Sequence, residues 1–264
     1  MKAERVESGG AQSVDRALSL LSLIARNGGN EVPMTTLTAK SGLSRPTVRR
    51  MLLALMRSGL VEQNPASRNY ALGPESYVVG LMAQRRFDLL ELAMDSLRDL
   101  AAESGDSSFL SMRRGLYSVC LHREEGSYPI RTQALQVGYR HPLAVGAGAM
   151  AMLAALPDDE QAQVRAEIGP ILAKDYERYT PEVLDQGIAH ARQNGWALNP
   201  GLYLANSWAV GVAIKAPTGD VLGALTIAAI DSRMGEDRQQ TLAALLKREA
   251  DKIEAKLRRR LGYT

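Results

Sequence analysis

The clearest folding signal in this chain lies in residues 34–59, which read MTTLTAKSGLSRPTVRRMLLALMRSG. The pattern predicts a short helix over Met34–Ser41, a tight turn at Gly42-Leu43 and a further helix over about Ser44–Ser58. Ser44, which opens the second of these two helices, is a suitable N-cap. Pro46 falls in the first turn of that helix, where a backbone N–H would have no partner within the helix, so the lack of one in proline is tolerated. A short helix, a glycine-containing turn and a helix that opens with small polar and basic residues form the helix-turn-helix pattern.

Another helix is predicted before this motif. Ser13 can cap it, and it runs to about Asn27, where a segment with two glycines stops it. Its apolar residues recur at helical spacing and make one face. The preceding residues are polar and contain glycine, so residues 1–12 are expected to form a flexible tail.

A short β-hairpin is predicted after the motif. Residues 60–63 and 68–72 have the composition of strands, and the turn-rich residues 64–67 join them. This hairpin would form the wing of a winged helix-turn-helix DNA-binding domain over residues 13–74. Arg68, near the tip of the hairpin, is well placed to contact a phosphate.

The first two turns of the third helix carry the strongest chemical signal. Arginine suits bidentate hydrogen bonding to guanine in the major groove, and serine and threonine hydroxyls reach phosphates or base edges. An ordinary solvated helix is the alternative, and Arg50 could pair with Glu62 rather than with DNA. Together with Arg68, the predicted DNA-binding residues are Ser44, Arg45, Thr47, Arg49 and Arg50.

The charge distribution favours the same end of the chain for a nucleic-acid partner. Residues 1–86 carry 12 of the 32 lysines and arginines but 6 of the 29 acidic residues, a net charge of about +6 against about −3 for the remainder.

Cys120 is the single cysteine, so no intramolecular disulfide can form. No long apolar stretch predicts a membrane span, and we expect a cytoplasmic protein with no membrane partner.

The rest of the chain is expected to form a linker helix region, residues 75–104, and a second domain, residues 105–264. A helix over Phe87–Ser104 would link the domains. The segments beyond it are predicted as strands at 108–112, 116–122 and 128–134, then helices, then strands at 209–214 and 221–230, and a terminal helix at about 236–261.

Several stretches resemble the IclR family of bacterial regulators, over about residues 13–260. They are SVDRAL from Ser13, SGLSRPTVRRML from Ser41, GLVEQNP from Gly59, RNYALG from Arg68, VGYRHPL from Val137 and NGWALN from Asn194. The resemblance implies an α+β protein with an N-terminal winged helix-turn-helix, a linker helix and a C-terminal GAF-like α/β effector domain that contains an antiparallel sheet.

The resemblance also implies a transcriptional regulator that binds double-stranded operator DNA as a homodimer, with dimers that can pair. A DNA site read in two half-sites requires a two-fold protein. The predicted dimer contacts are the apolar faces of the first helix and of the linker helix around Leu90, Leu97 and Leu100. Repressor and activator, and dimer and tetramer, remain alternatives at this point.

An effector pocket is implied by matching the family's positions one at a time. Ala147 and Gly148 fall where backbone N–H groups of the family contact an anionic ligand at a helix start. Asn199, Ala209, Thr226 and Ala228 fall across the pocket. Relatives frequently carry more polar side chains at these positions, so we expect a more apolar pocket and a small hydrophobic or aromatic carboxylate as effector. The alternative is that these small residues only let a helix pack on the sheet.

Other features predict no catalysis, metal or cofactor. An enzyme whose helix-turn-helix only docks it on a partner is the competing class, but the sequence shows no nucleophile elbow and no glycine-rich phosphate loop. Cys120 and His122 would share a strand face and could join a metal site, yet no second pair with ligand spacing exists. Asp158 is expected to cap a helix with an acidic first turn, and residues 256–260 are expected to place favourable cations at a helix C-terminus, with DNA contact as the alternative.

Overall fold

The computed structural model describes residues 11–27, 30–84 and 89–263. The chain divides into two compact units, residues 1–87 and 88–264. Among the described residues, no helix is both long enough and apolar enough to cross a membrane.

The first unit has the predicted helix-turn-helix with its wing. Gly42 ends α2 with a positive φ of +67°, a conformation that glycine adopts without steric cost. The apolar sides of the first three helices meet at Leu20, Leu37 and Leu52, all of which are buried. The elements are α1 (Gln12–Ala25), α2 (Met34–Ser41), α3 (Arg45–Arg57), β1 (Val61–Gln63), β2 (Tyr70–Leu72) and α4 (Pro74–Gln84).

Two predicted helix N-caps, Ser13 and Asp158, are wrong. Helical dihedral angles extend back to Ala11, at φ −90° and ψ −15°, so Ser13 lies inside α1 and does not cap it. Pro157, held in an extended conformation, is the N-cap residue of the helix that Asp158 was expected to cap. Ser44 does occupy the N-cap position of α3, but its hydroxyl lies 2.8 Å from the hydroxyl of Thr47 and makes no cap hydrogen bond.

The wing is a small antiparallel ladder in which Val61 faces Leu72. Tyr70 also exchanges backbone hydrogen bonds with Val32, which ties the wing to the chain before α2. The turn is held by Glu31, whose carboxylate accepts hydrogen bonds from the side chains of Asn64 and Ser67. Those two hydrogen bonds lower the pKa of Glu31 below its usual value.

The second unit is built on a six-stranded antiparallel sheet with the strand order β5-β4-β3-β8-β7-β6. The fold class is therefore the predicted one: a winged helix-turn-helix and an α/β domain with an antiparallel sheet. The elements are α5 (Leu89–Ser104), β3 (Ser107–Arg114), β4 (Tyr117–Glu124), β5 (Arg140–Pro142), α6 (Ala147–Ala154), α7 (Asp158–Asp175), α8 (Pro181–Asn194), β6 (Ala197–Pro200), β7 (Ser207–Lys215), β8 (Val221–Ile230) and α9 (Glu236–Arg260).

The two faces of the sheet carry different side chains because strand residues alternate between them. Leu225 and Ile227 of β8 point to one face, where they join the buried residues of α5 and α9. Ala224, Thr226 and Ala228 of the same strand point to the opposite face. Small side chains there leave room for a helix start and for a cavity.

Two expectations about the second unit are wrong. Residues 128–134 form no strand, because residues 138–142 occupy the edge of the sheet beside β4. The backbone of Cys120 is hydrogen-bonded to the backbone of Gly138 and Tyr139, and β5 pairs with β4 next to them. Leu97 and Leu100 are fully buried inside the unit, so they are not available as dimer contacts. The predicted start of their helix, at Phe87, lies outside the described residues, as do Gly28, Gly29 and most of the expected tail.

Candidate functional sites

The third helix separates its buried residues from its arginines. Val48, Met51, Leu52 and Leu55 are buried in the first unit. The arginines at positions 45, 49 and 50 are exposed on the other side of the helix. Since residues four apart share a helix face, positions 45 and 49 project together.

These arginines stand apart from the acceptors of the first unit. Arg45, Arg49, Arg50 and Arg68 make no side-chain hydrogen bond or ion pair with any residue that the structure describes, and the pair between Arg50 and Glu62 does not form. Arg68 sits in the turn of the wing in the left-handed conformation, at φ +61°. Exposed guanidinium groups without internal acceptors are free to meet phosphates or base edges.

In the second unit, the six residues assigned to the pocket line one cavity of about 60 Å³. The first turn of α6 forms one side of it. Strands β6, β7 and β8 form the opposite wall, through Asn199, Ala209, Thr226 and Ala228.

Two glycines allow the start of α6 to lie very close to the sheet. A Cβ atom at Gly148 would lie 2.5 Å from the Thr226 hydroxyl oxygen, and one at Gly211 of β7 would lie 2.6 Å from the backbone carbon of Ala147. Both contacts are too short for a side chain. Gly148 and Gly211 therefore have a packing role, whereas Ala209 and Ala228 border the cavity.

The helix start offers hydrogen-bond donors to that space. The first N–H groups of a helix have no partner within it, and Ala147, Gly148 and Ala149 all line the cavity. No side chain in the described part of the chain caps α6. The preceding N–H, of Gly146, is already used, because it donates to the Tyr179 hydroxyl at 3.1 Å. The helix dipole adds positive potential at the same place.

Tyr179 and Asn199 brace this turn from the wall opposite. The Tyr179 hydroxyl donates to Asn199 Oδ1 at 3.4 Å, and the N–H of Leu202 donates to the same oxygen at 3.2 Å. Burial raises the pKa of Tyr179, so the phenol keeps its proton. The Asn199 oxygen is thus already an acceptor for two protein groups.

The cavity has polar groups that reasoning from the sequence missed. They come from β3, β4, β5, the start of β7 and the irregular segment between β4 and β5, and the resemblance assigned none of them. They include Ser111, Ser118, Thr132, His141 and Ser207. The motif VGYRHPL did contain His141, directly before the turn into α6, and that position was the available signal.

His141 is buried and uncharged. Burial lowers the pKa of His141 to about 4, because the imidazolium form loses its hydration. Its Nδ1 lies 3.2 Å from the Tyr176 hydroxyl, and the ring packs edge-on against Tyr203 at 4.7 Å between centroids. These contacts hold the ring in one orientation.

The Cys120 and His122 pair does not assemble a metal site. Cys120 is buried, its thiol donates to the His122 carbonyl at 3.6 Å, and burial raises its pKa to about 12. Within the described ranges, no group of three or more His, Cys, Asp or Glu side chains is arranged to hold a metal ion.

Comparisons with known proteins identify relatives of both units. A family model described as the IclR helix-turn-helix domain matches residues 13–65, and one described as the bacterial transcriptional regulator IclR C-terminal region matches residues 82–255. The HTH-type transcriptional regulator KipR of Bacillus subtilis is 27% identical over 258 residues, which cover 96% of this chain and 98% of KipR.

Solved structures share the fold. An IclR-type transcriptional regulator from Silicibacter sp. TM1040 matches with a TM-score of 0.77 and 26% identity, over 93% of this chain and 96% of that one. An IclR homologue from Microbacterium hydrocarbonoxydans, solved with 4-hydroxybenzoate, matches with a TM-score of 0.74 and 18% identity, over 94% of this chain and 99% of that one.

The buried imidazole leads to a prediction about stability and pH. Because the pKa of His141 is about 4 in the folded chain and about 6.5 in the unfolded one, the unfolded chain takes up a proton first as the pH falls. The stability present above pH 6.5 is therefore lost toward pH 4, by about 2–3 kcal/mol at pH 4.5. His141→Gln should lack this loss.

Urea unfolding measured from pH 7.5 to 4.5 tests the prediction. Both tryptophans, Trp196 and Trp208, lie in the second unit, so their fluorescence reports on its unfolding. Other acidic groups and His190 titrate in both proteins, so the difference between wild type and variant isolates His141. Equal pH slopes for the two proteins would show that His141 is not held in its neutral form.

Proposed function

The chain belongs to the IclR family of bacterial transcriptional regulators, and we propose that a small organic acid in the cavity of its second unit modulates its binding to operator DNA. As a member of this family it is a DNA-binding regulator and not an enzyme. We propose the cytoplasm as its site of action, because bacterial operator DNA lies there.

The uncapped start of α6 inside the cavity is the observation that supports an acid as effector. Backbone N–H groups and the helix dipole together favour a negative charge at such a place. No lysine or arginine lines the cavity among the described residues, so the helix start is its source of positive potential. A carboxylate there would accept hydrogen bonds from the N–H groups of Ala147 and Gly148.

The cavity volume favours a compact acid. At about 60 Å³, the cavity is several times larger than the roughly 10–15 Å³ that one water needs and far smaller than the roughly 300–1,000 Å³ of pockets for drug-sized ligands. Phe109 and Ala209 supply apolar contacts to the ligand's carbon atoms. The neighbour from Microbacterium hydrocarbonoxydans was solved with an aromatic hydroxy acid, and an aromatic acid in this chain would require the cavity to widen.

The effector can change DNA affinity only if it binds the DNA-competent and incompetent arrangements differently. The covalent connection between the units runs from α4, which ends at Gln84, to α5, which begins at Leu89. We propose that this connection carries the coupling. Two arrangements of the units, each with its own affinity for the acid, would then differ in affinity for the operator.

We also propose that the regulator acts as a dimer that contacts DNA with two copies of α3. The exposed apolar residues of the first unit support this, because such patches on soluble proteins mark interaction surfaces. Val14 and Leu18 of α1 are more than half exposed, at 56% and 51%. On α4, the exposed apolar residues are Tyr77, Val78, Val79, Leu81 and Met82.

A first prediction concerns the arginines that face DNA. Arg45→Ala or Arg49→Ala should weaken specific operator binding by about 1–3 kcal/mol for each base that the variant no longer hydrogen-bonds. Arg68→Ala should weaken binding to all sequences alike. It should also reduce the slope of the logarithm of affinity against the logarithm of salt concentration by about 1. Mobility-shift titrations with the DNA upstream of the protein's own gene, at several salt concentrations, measure both effects.

Arg57 provides the matched control for these variants. It is exposed on the same helix but lies in its last turn, while recognition helices contact base edges near their N-terminus. Arg57→Ala should therefore leave operator affinity nearly unchanged. Operator affinity that is unchanged in the Arg45→Ala, Arg49→Ala double variant would refute the assignment of these residues.

A second prediction concerns assembly. Val78→Glu with Met82→Glu places two charges one turn apart on the apolar surface of α4 and should dissociate the dimer. Light scattering at micromolar concentration should give the mass of two or four chains for wild type and of one chain for the variant. Ile130→Glu, at an exposed apolar position of the second unit, is the control. A wild-type mass of one chain would overturn the proposal.

A third prediction concerns the cavity. Ala209→Phe should fill the space and abolish the effect of added acids on the operator complex, while DNA binding without acid stays nearly intact. Ala213→Phe adds the same ring on the same strand and face, four residues away and outside this cavity. Thermal unfolding checks that both variants fold. An acid that acts equally on wild type and Ala209→Phe would show that the effector binds elsewhere.

A further inference from the structure

Two residues that line the cavity each have a buried polar atom with no hydrogen-bond partner among the described residues. The atoms are the Thr132 hydroxyl oxygen and His141 Nε2. Both residues line the cavity, and both are more than nine-tenths buried, with exposures of 8% and 9%. A buried polar group without a partner destabilises the fold, so such atoms mark a place where a ligand or water supplies the missing hydrogen bond.

Separate parts of the second unit bring these atoms to one cavity. His141 lies in the short strand β5, where it pairs with Ser118 of β4. Thr132 lies in the irregular segment between β4 and β5. Neither belongs to the start of α6 or to the wall of β7 and β8, so they add polar groups to those of the proposed carboxylate site.

The Tyr176 hydroxyl decides what His141 offers to the cavity. Burial raises the pKa of Tyr176, so it remains a phenol. A phenol is a better donor than acceptor, and a neutral imidazole has one acceptor nitrogen. With the Tyr176 O–H assigned as donor to Nδ1, 3.2 Å away, the imidazole proton is on Nε2. His141 then presents an uncharged N–H donor, and Thr132 presents a hydroxyl that can donate or accept.

We propose that His141 Nε2 and the Thr132 hydroxyl form a second polar subsite, which binds an uncharged hydroxyl or keto oxygen of the effector. The effector is then a hydroxy acid or keto acid, with its carboxylate on the first turn of α6. This inference rests on the proposed function, since it assumes that the cavity holds the effector. Neutral donors suit a neutral oxygen better than a second carboxylate, whose charge would remain unbalanced in a buried site.

Matched pairs of acids isolate the contribution of the oxygen. Lactate and isobutyrate differ only by a hydroxyl in place of a methyl group, as do 3-hydroxypropionate and butyrate, and 4-hydroxybenzoate and 4-methylbenzoate. The three pairs place the hydroxyl at increasing distance from the carboxylate. Calorimetric titration of the full chain without DNA measures each affinity directly.

Three variants test the two residues. Thr132→Val keeps the shape of the side chain and removes its hydroxyl. His141→Asn keeps an amide near the position of Nδ1, within reach of Tyr176, and removes the Nε2 group. His141→Gln restores a polar nitrogen or oxygen near the position of Nε2. Thermal unfolding establishes that each variant is folded at the temperature of the titration.

For wild type we expect at least a tenfold preference for the hydroxy acid in one pair. The preference should fall below threefold in Thr132→Val and in His141→Asn, and His141→Gln should recover part of it. The affinity for the methyl partner should change little in any variant, because that acid does not use the subsite.

Two results overturn the inference, and they are distinguishable. If both members of every pair bind wild type equally, or if the preference survives in Thr132→Val and His141→Asn, the subsite is wrong while the carboxylate site stands. If no acid of any pair binds wild type, the proposed function itself fails, and the subsite fails with it.

Discussion

The close approach of α6 to strands β7 and β8 is the constraint on which the second unit depends. Gly148 and Gly211 permit it, since a Cβ atom at either position would collide with the opposing element. Because α6 begins so near the sheet, its free N–H groups face the wall of small side chains and not solvent. The alternation of β8, with Leu225 and Ile227 on one face and Thr226 on the other, supplies both the core and that wall.

The electrostatics of the cavity follow from this geometry. The positive potential comes from backbone N–H groups and a helix dipole, while the histidine in the wall is kept neutral by burial. If the proposed effector binds here, its charged group and its uncharged oxygen would have different places to bind. Under the proposal, His141 and Thr132 would let the cavity select among anions of the same size.

In the first unit, α3 has one side that is buried and another that carries exposed arginines. Met51 and Leu52 of α3 hold the helix in the core, and the arginines on the opposite side have no internal partner among the described residues. The wing is braced at its turn by Glu31 through Asn64 and Ser67. Because the backbone N–H of Arg68 donates to the Asn64 carbonyl, that bracing also holds the backbone of Arg68.

Local patterns in the sequence were sufficient for the elements whose signals are local. Gly42 and the spacing of Val48, Met51 and Leu55 predict α2 and α3, and the apolar run of residues 221–230 predicts β8, because backbone preference and composition depend on neighbours in the chain. Resemblance placed Ala147, Ala209 and Thr226, which line one cavity. Tertiary structure alone showed that Leu97 and Leu100 are internal, that residues 128–134 form no strand, and that His141 and Thr132 reach the cavity. Those outcomes depend on which segment of the chain pairs with the edge of β4 and on which face of the sheet α9 covers. Both are contacts between residues far apart in sequence, so the local spacing of apolar residues does not predict them.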